Sequence, residues 1–337
     1  MYKVAIVGAT GAVGREFIKG LGELGFPVKE LKLLATSRSE GKVVETPFGP
    51  VKVEEAKPES FTGLDFAFFS AGGTAAKELA PEAASRGCVV IDNSSAWRMD
   101  PAVPLVVPEV NMEAAKAHKG IIANPNCSTI IMCVAIAPIY RKYGIKRIIA
   151  STYQAVSGAG WAAMEALRKE SEDYLAGRPV HPEVLPMKTG TVHHQIAFNL
   201  LPHIDVFYED GFTKEERKMV DETRKIFSDP KIQVCATTVR VPVFRSHSES
   251  LNIETERDFS IEEVKDDIAT GKGLVLEDDP GRYVYPMPLL VSGSLLVHVG
   301  RVRVDPSAPR SMAMWVVGDQ LKKGAATNAI QIAQGLI

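Results

Sequence analysis

The sequence predicts an α/β protein of two domains, one built on a doubly wound parallel sheet and the other an α+β domain with a mixed or antiparallel sheet. Residues 1–91 alternate apolar strands with amphipathic helices, whereas the chain from residue 145 onward is richer in strands of Thr, Val and Ile. A glycine-rich turn at residues 8–14 separates the first strand from the first helix. The length of 337 residues suits two domains.

The first region begins with a short apolar, β-branched run over residues 2–7 that predicts a buried strand. A helix is predicted over residues 12–24, because its apolar residues fall on one stripe and Gly25 follows as a stop. The other predicted elements are strands at 31–35, 65–70 and 88–91, a helix at Thr74–Arg86 and a hairpin within residues 41–57.

The second region begins with a long apolar helix predicted at residues 128–142. The last segment, residues 318–337, is predicted to be helical, and its apolar stripe could pack on the first domain. We therefore expect one domain of residues 1–126 with 319–337, and a second of residues 127–318. The strands predicted for the second domain lie at 145–154, 234–243, 247–256, 295–304 and 312–317.

Composition and charge argue against several classes of protein. Lys and Arg total 39 and Asp and Glu total 41, which leaves a net charge of −2 and no basic excess for nucleic acid or an anionic membrane. The longest apolar stretch, residues 130–140, is far short of the roughly 20 residues that span a bilayer. The four cysteines form no CxxC pair, and the N-terminus does not resemble a signal peptide. We expect a cytoplasmic protein with reduced thiols and no metal site.

Gly8, Gly11 and Gly14 lie between the first strand and the first helix. A dinucleotide pyrophosphate needs close backbone approach and free N–H groups at a helix N-terminus, and glycines allow both. The motif predicts a Rossmann-like dinucleotide-binding domain, the alternative being a simple tight turn.

The end of the second predicted strand bears on the choice of cofactor. NAD-specific sites place an acidic residue there, but this chain has Ala-Thr-Ser-Arg-Ser at 35–39 and no acid before Glu40. A guanidinium pairs with phosphate in bidentate fashion, so Arg38 with its neighbouring hydroxyls suits the 2′-phosphate of NADP. The alternative is a solvated polar loop.

Cys127 precedes the apolar helix, where the positive end of the helix dipole favours a thiolate, so it is a candidate nucleophile. The alternative is a small buried residue, which suits Cys133 and Cys88 equally or better. His247 begins a predicted strand and shares a face with Leu251 by period two, so it could be a buried core histidine.

Glu215 and Lys218 lie three residues apart on a predicted helix that Thr213 caps, with Glu216 completing a capping box. Taken alone, the spacing favours a solvent-facing ion pair.

Six motifs occur along the chain: GATGAVG at 8–14, DNSSAWRMD at 92–100, NPNCST at 124–129, TYQAVSGAG at 152–160, RVPVFRSH at 240–247 and GDQL at 318–321. In this combination, from residue 2 to about residue 330, the chain resembles the aspartate-β-semialdehyde dehydrogenase family. Such enzymes reduce β-aspartyl phosphate with NADPH to aspartate semialdehyde and phosphate, on the branch to lysine, threonine and methionine. The resemblance implies the same substrates, a catalytic and dimerisation role for the second domain, and a homodimer or tetramer.

The resemblance also implies roles for individual residues. Cys127 would form the thioester, Gln154 would orient the substrate, and His247 would act as acid/base. The implied binding residues are Arg240 for the α-carboxylate, Glu215 for the amino group, Arg98 and Lys218 for the phosphate, and Gly8, Thr10, Gly11, Ala12, Val13, Arg38, Ser39, Ser157, Gly158 and Gln320 for the cofactor.

Three other functions remain as alternatives. N-acetyl-γ-glutamyl-phosphate reductase performs the same acyl-phosphate chemistry on a substrate whose amine is acylated. Such a substrate has no ammonium for a carboxylate to bind. A phosphorylating aldehyde dehydrogenase of the glyceraldehyde-phosphate type usually has two threonines after its thiol, where this chain has Ser128 and Thr129. A non-catalytic NADP-binding regulator need not keep Cys127, Arg240 and His247 together.

Overall fold

The computed structural model describes all 337 residues of the chain. They form two compact units. Unit 1 comprises Met1–Asn126, Lys225–Phe227 and Gly324–Ile337, and unit 2 comprises Cys127–Arg224 and Ser228–Lys323.

The structure contains thirteen strands and nine α-helices, besides short 3₁₀ segments. The strands are β1 (Tyr2–Val7), β2 (Val28–Ala35), β3 (Val43–Thr46), β4 (Gly49–Glu55), β5 (Phe66–Phe69), β6 (Val89–Asp92), β7 (Ile121–Ala123), β8 (Ile145–Ala155), β9 (Gln233–Val241), β10 (His247–Thr255), β11 (Leu274–Leu276), β12 (Val297–Val304) and β13 (Ser311–Gly318). The helices are α1 (Ala12–Glu23), α2 (Gly73–Ser85), α3 (Pro108–Asn111), α4 (Cys127–Tyr143), α5 (Trp161–Leu175), α6 (Lys214–Phe227), α7 (Ile261–Ala269), α8 (Pro288–Val291) and α9 (Thr327–Gln334).

Unit 1 is built on a seven-stranded sheet in the order β3-β4-β2-β1-β5-β6-β7. All neighbouring strands are parallel except β3 and β4, which form the hairpin predicted within residues 41–57 and extend the sheet through β4. The predicted doubly wound parallel sheet is confirmed. The central strand β5 is a continuous buried apolar run because helices cover both of its faces.

Aromatic and aliphatic side chains of α1 and α9 fill one side of this sheet. Phe17 of α1 stacks on Phe68 of β5 with 5.1 Å between ring centroids. Ile330 of α9 belongs to the same buried cluster, and its Cδ1 lies 2.8 Å from where a Cβ on Gly20 would be. The glycine on α1 therefore permits close packing of the C-terminal helix within unit 1.

Unit 2 is built on a six-stranded sheet in the order β11-β12-β13-β10-β8-β9. The β8–β9 and β11–β12 pairs are parallel and the others are antiparallel, so the predicted mixed sheet is confirmed. Helix α4 packs on β10, β12 and β13 and is buried over most of its length. Its long apolar run is therefore explained by burial in the core of unit 2.

The C-terminal segment differs from the prediction of one continuous helix from residue 318. Residues 320–321 form a turn, Lys322–Ala326 is π-helical, and α9 begins only at Thr327. The expected domain boundary at residue 319 falls inside unit 2, because Asp319 bonds to Arg245 and Gln320 bonds to Ser246 there. None of the helices combines the length and hydropathy needed to cross a membrane.

Candidate active site

Cys127 is the first residue of α4, at the end of the helix where free N–H groups favour an anion. It is partly exposed, unlike Cys88 and Cys133, which are buried. Its Sγ lies 3.4 Å from Nε2 of His247, a residue 120 positions further along the chain. A thiol and an imidazole in contact at a helix N-terminus form a candidate nucleophilic pair.

His247 is the first residue of β10 and is fully buried. Its Nδ1 accepts a hydrogen bond from the backbone N–H of Ala155, at 3.0 Å. Burial, and secondarily the nearby Arg240 cation, lowers the pKa of His247 to about 3, against the smaller opposing effect of Glu215. The imidazole is therefore neutral at physiological pH.

Arg240, near the end of β9, pairs in register with Gln154 of β8, and both side chains are buried. Its Nη1 donates to the carbonyl of Ala155 at 2.8 Å, and its main chain exchanges two hydrogen bonds with Leu201. Burial lowers the pKa of Arg240 below its ordinary value, although Glu215 and Cys127 oppose this shift. The result is a guanidinium fixed beside the thiol and the imidazole.

Helix α6 begins with the predicted capping box. The backbone N–H of Thr213 donates to Oε2 of Glu216 at 2.7 Å, and the N–H of Glu216 donates to Oγ1 of Thr213 at 3.3 Å. The other carboxylate oxygen of Glu216 accepts the N–H of Thr238 of β9 at 3.0 Å. One side chain therefore caps α6 and fixes its N-terminus on the strand that carries Arg240.

Glu215 of α6 is buried and bonds to Lys218 and Gln154. Its Oε2 accepts from Nζ of Lys218 at 3.0 Å, and its Oε1 accepts from Nε2 of Gln154 at 3.3 Å. Lys218 also donates to Oδ2 of Asp205 at 2.9 Å. Burial alone would lower the pKa of Lys218, but the carboxylates of Glu215 and Asp205 outweigh it and raise the pKa above its ordinary value. Lys218 is therefore a cation between two carboxylates, not a member of a solvent-facing pair.

The 3₁₀ turn at Val156–Ala159 follows β8 directly and contains Ser157 and Gly158. The Ser157 hydroxyl accepts a short hydrogen bond from Nε2 of Gln320, and Oε1 of Gln320 accepts the N–H of Ser246 at 2.8 Å. A Cβ on Gly158 would lie 2.9 Å from Nη1 of Arg240 and 3.1 Å from Nε2 of His247. The turn therefore packs closely against Arg240 and His247.

The glycine-rich turn of unit 1 has the geometry expected at a dinucleotide pyrophosphate. Gly8 has φ +85°, and a Cβ on Gly14 would lie 2.2 Å from the Gly8 carbonyl oxygen, so side chains are excluded at both positions. The Thr10 and Ser39 hydroxyls lie 3.5 Å apart, which brings the 3₁₀ turn at Ser37–Ser39 against this loop. The side chain of Arg38, the middle residue of the 3₁₀ turn, is exposed.

Arg98, also in unit 1, is buried. Its Nε donates to the carbonyl of Asn124 at 3.0 Å, and its Nη2 donates to the carbonyl of Asn93 at 2.9 Å. The guanidinium therefore fixes the main chain at Asn124, the first residue of the NPNCST motif.

Unit 2 thus brings together most of the residues that the motifs indicate. Two participants, Asp205 and Ala155, are not among the predicted site residues, although Ala155 lies within the TYQAVSGAG motif. Asp205 lies in an irregular loop with φ +67°, and Ala155 acts only through its main chain. The assembled residues of unit 2 are Cys127, Gln154, Ser157, Gly158, Glu215, Lys218, Arg240, His247 and Gln320.

Two family models match the chain. Residues 3–118 match the semialdehyde dehydrogenase NAD binding domain, and residues 136–323 match the semialdehyde dehydrogenase dimerisation domain. The first match agrees with the glycine-rich turn of unit 1.

Curated proteins and solved structures are similar over the whole chain. An aspartate-semialdehyde dehydrogenase from Aquifex aeolicus is 55% identical over 100% of this chain and 98% of its own. The crystal structure of aspartate semialdehyde dehydrogenase II complexed with ASA from Vibrio cholerae has a TM-score of 0.94 and 46% identity, covering 100% of this chain and 98% of that one. The aspartate semialdehyde dehydrogenase with NADP from Candida albicans has a TM-score of 0.74 and 26% identity, covering 100% and 98%.

Proposed function

The chain belongs to the aspartate-semialdehyde dehydrogenase family, and we propose that it reversibly reduces β-aspartyl phosphate to aspartate semialdehyde and phosphate with NADPH, through a thioester on Cys127. The reaction would serve the branch to lysine, threonine and methionine. The observation that carries the proposal is the 3.4 Å separation of the Cys127 thiol from His247, with Arg240 and His247 both bonded to the main chain of Ala155.

The first half-reaction forms the thioester. The Cys127 thiolate attacks the acyl carbon of β-aspartyl phosphate, a C–S bond forms, and the bond from that carbon to the phosphate oxygen breaks. Phosphate departs with the electron pair and takes a proton from water. Arg98 and Lys218 are the cations that we assign to the phosphate, because guanidinium and ammonium groups stabilise developing negative charge.

In the second half-reaction the sulfur leaves with the electrons of the C–S bond, which releases the aldehyde and restores the thiolate. The chemistry that NADPH supplies when bound is a hydride for the thioester carbonyl carbon. His247 is the residue that we assign to acid/base catalysis, because its Nε2 faces the sulfur to which that carbon is attached.

The residues of unit 1 fit NADP. The glycine-rich turn has no room for a side chain at Gly8 or Gly14, and it leads into the N-terminus of α1, where a pyrophosphate can approach the backbone. Residues 35–39 at the end of β2 include no acid, and the Ser39 hydroxyl lies 3.5 Å from that of Thr10, so Arg38 and Ser39 suit a 2′-phosphate. In unit 2 we assign Ser157, Gly158 and Gln320 to the cofactor.

The charges of unit 2 match the substrate's other groups. Arg240 is the assigned partner of the α-carboxylate, since its buried guanidinium offers a bidentate face. Glu215 is the assigned partner of the ammonium, and Gln154 positions the substrate from the same hydrogen-bonded cluster. An acylated amine carries no such charge, so this arrangement favours aspartate semialdehyde over an N-acetylated semialdehyde.

A spectrophotometric assay in the reverse direction tests the function. Aspartate semialdehyde, inorganic phosphate and NADP are mixed with the protein, and NADPH formation is followed. We expect activity with these substrates and much less with NAD or with N-acetylglutamate semialdehyde. Activity only with the N-acetylated substrate would contradict the proposal.

Replacing the nucleophile tests the thioester. Cys127→Ser should lose activity by orders of magnitude, because a serine alkoxide is far less accessible than a thiolate at neutral pH. Cys235→Ser is the matched control, since Cys235 is exposed on β9. Mass spectrometry after substrate addition should find an acyl group on Cys127. An adduct on Cys133 or Cys235 instead would overturn the assignment.

We also propose a homodimer in the cytoplasm. All four cysteines are free thiols, which suits a reducing compartment. The sheet of unit 2 is covered by α4 on one face, whereas Ile149 and Tyr153 are about two-fifths exposed on the other, where Tyr153 contacts Trp315. An apolar sheet face of this kind suits a second copy of the chain. Light scattering coupled to size exclusion should give twice the monomer mass, and a monomer at micromolar concentration would contradict this.

A further inference from the structure

We propose that Lys225 is a positioning residue for the phosphate of the reaction. Its ammonium group holds the main chain of the segment that carries Arg98, so that the guanidinium is in place before phosphate arrives. The inference rests on the proposed function, which assigns Arg98 to the phosphate. Lys225 lies near the C-terminal end of α6, outside the six motifs, and it belongs to unit 1 as Arg98 does.

The Lys225 ammonium is bonded to carbonyl oxygens of one short segment. Its Nζ donates to the carbonyl of Arg98 at 2.7 Å, to that of Asp100 at 2.7 Å and to that of Val103 at 2.9 Å. An ammonium group has three N–H donors around a single atom at the end of a flexible stem, so it can serve three carbonyls from one point. One side chain therefore ties residues 98–103 together.

The segment over residues 93–104 consists of turns and bends with no helix or strand. Its internal bonds are short-range, as in the N–H of Val103, which donates to the carbonyl of Asp100 at 3.2 Å. Bonds of this kind shape a turn but do not hold it to the rest of the fold. The ammonium reaches the segment from at least 122 positions further along the chain. Ile226 and Phe227, which follow the lysine, are buried, so the anchor itself is fixed.

Arg98 is consequently held at its main chain and at its side chain. Lys225 bonds to its carbonyl, while its guanidinium donates to the carbonyls of Asn124 and Asn93. A guanidinium that is oriented in advance binds phosphate more tightly, because its ordering is completed on folding and not on binding. Since three carbonyls accept from the ammonium, Lys225 acts on phosphate through Arg98.

The reverse assay with inorganic phosphate as the varied substrate tests this role. Lys225→Met keeps an unbranched side chain and removes the N–H groups. We expect it to raise the KM for phosphate about 10- to 100-fold, as when a group that positions a substrate is displaced. The KM values for aspartate semialdehyde and NADP should stay nearly unchanged. Lys116→Met is the matched control, because Lys116 is an exposed lysine of unit 1 that pairs with Glu113, and it should behave as the wild type.

A double-mutant cycle separates positioning from a merely structural role. Arg98→Gln should raise the KM for phosphate at least as much as Lys225→Met does. The double variant should resemble Arg98→Gln, because residues that act as one unit do not have additive effects. Effects that multiply in the double variant would show that Lys225 acts independently of Arg98 and would overturn the inference.

A role confined to stability predicts a different result. Lys225→Met would then unfold at a lower temperature with an unchanged ratio of the KM for phosphate to that for the semialdehyde, and the inference would be wrong. Should Lys225→Met not fold, Lys225→Gln retains two N–H donors on a shorter side chain and should raise that ratio by a smaller factor; a wild-type ratio would overturn the inference. An inactive wild type would remove the proposed function and this inference together, whereas an active wild type with these unchanged ratios would remove the inference alone.

Discussion

The replacement of Gly158 by alanine probes how closely the turn after β8 fits the catalytic candidates. The new methyl carbon would lie 2.9 Å from Nη1 of Arg240, 3.0 Å from Cε1 of His247 and 3.1 Å from its Nε2. Ordinary carbon contacts lie near 3.5–4.0 Å, so the turn itself, or both the Arg240 guanidinium and the His247 ring, must move by a few tenths of an ångström. Gly158 has an ordinary backbone conformation, so the effect comes from crowding and not from strain at φ.

The size of the effect follows from the cost of overpacking. An extra methyl in a well-packed site costs about 1–3 kcal/mol, which corresponds to roughly 5- to 150-fold in kcat/KM if the cost falls on the active arrangement. We expect it to fall there because Arg240 and His247 both bond to Ala155 and cannot retreat independently. The assay is kcat/KM for aspartate semialdehyde in the reverse direction, with thermal unfolding measured in parallel.

Gly281→Ala is the matched control for this variant. Gly281 lies in a 3₁₀ turn of unit 2, and a Cβ there would meet its nearest atom, Oδ1 of Asp279, at an ordinary 3.5 Å. The control should keep kcat/KM close to wild type. If Gly158→Ala behaves like Gly281→Ala in kcat/KM, the close packing of this turn on the catalytic residues has no functional consequence and the reasoning fails. A loss confined to the KM for NADP would assign the crowding to the cofactor.

Two further predictions concern specificity. Arg38→Ala should raise the KM for NADP by an amount equivalent to about 1.5–3 kcal/mol while leaving that for NAD nearly unchanged, since a charge-assisted contact to the 2′-phosphate is lost; equal effects on both cofactors would exclude this role. Glu215→Gln should raise the KM for aspartate semialdehyde more than that for phosphate, because the ammonium loses its anionic partner. Asp205→Asn is the control, because the Asp205 carboxylate contacts Lys218 at 2.9 Å, and it should raise the KM for phosphate more than that for the semialdehyde. If Glu215→Gln instead raises the KM for phosphate more than that for the semialdehyde, Glu215 only supports Lys218.

The elements that the sequence predicts well are those whose cause is local. The strand at residues 2–7, the apolar helix that follows Cys127 and the capping box of α6 each depend on residues within a few positions of one another. The regular apolar stripe of the C-terminal segment predicts one continuous helix. The stripe could not reveal that Asp319 and Gln320 are held by side-chain bonds to the segment around Arg245.

The sequence predicts those residues of the candidate site whose side chains do the chemistry and lie in a recognisable motif. The thiol, the imidazole and the guanidinium fall in motifs, and the fold places the thiol 3.4 Å from the imidazole. Ala155 was not predictable, because its contribution is an N–H and a carbonyl that any residue would offer. Asp205 was not predictable either, since only the tertiary fold brings its loop to Lys218.

The contacts of Glu215 show why an ion pair and a role in substrate binding are compatible. Arg240 is a buried cation and Lys218 is a largely buried one. In the ligand-free protein, burying these charges without a nearby anion would lower the stability of the fold. Glu215 supplies that anion, since it contacts Lys218 at 3.0 Å and interacts with Arg240. In the proposed complex, phosphate and carboxylate bring negative charge to these two cations, and Asp205 remains with Lys218. The Glu215 carboxylate is then no longer needed to balance the cations, and it can accept the ammonium that arrives on the same molecule. The Glu215–Lys218 ion pair of the free protein would then be the resting state of the proposed ammonium site.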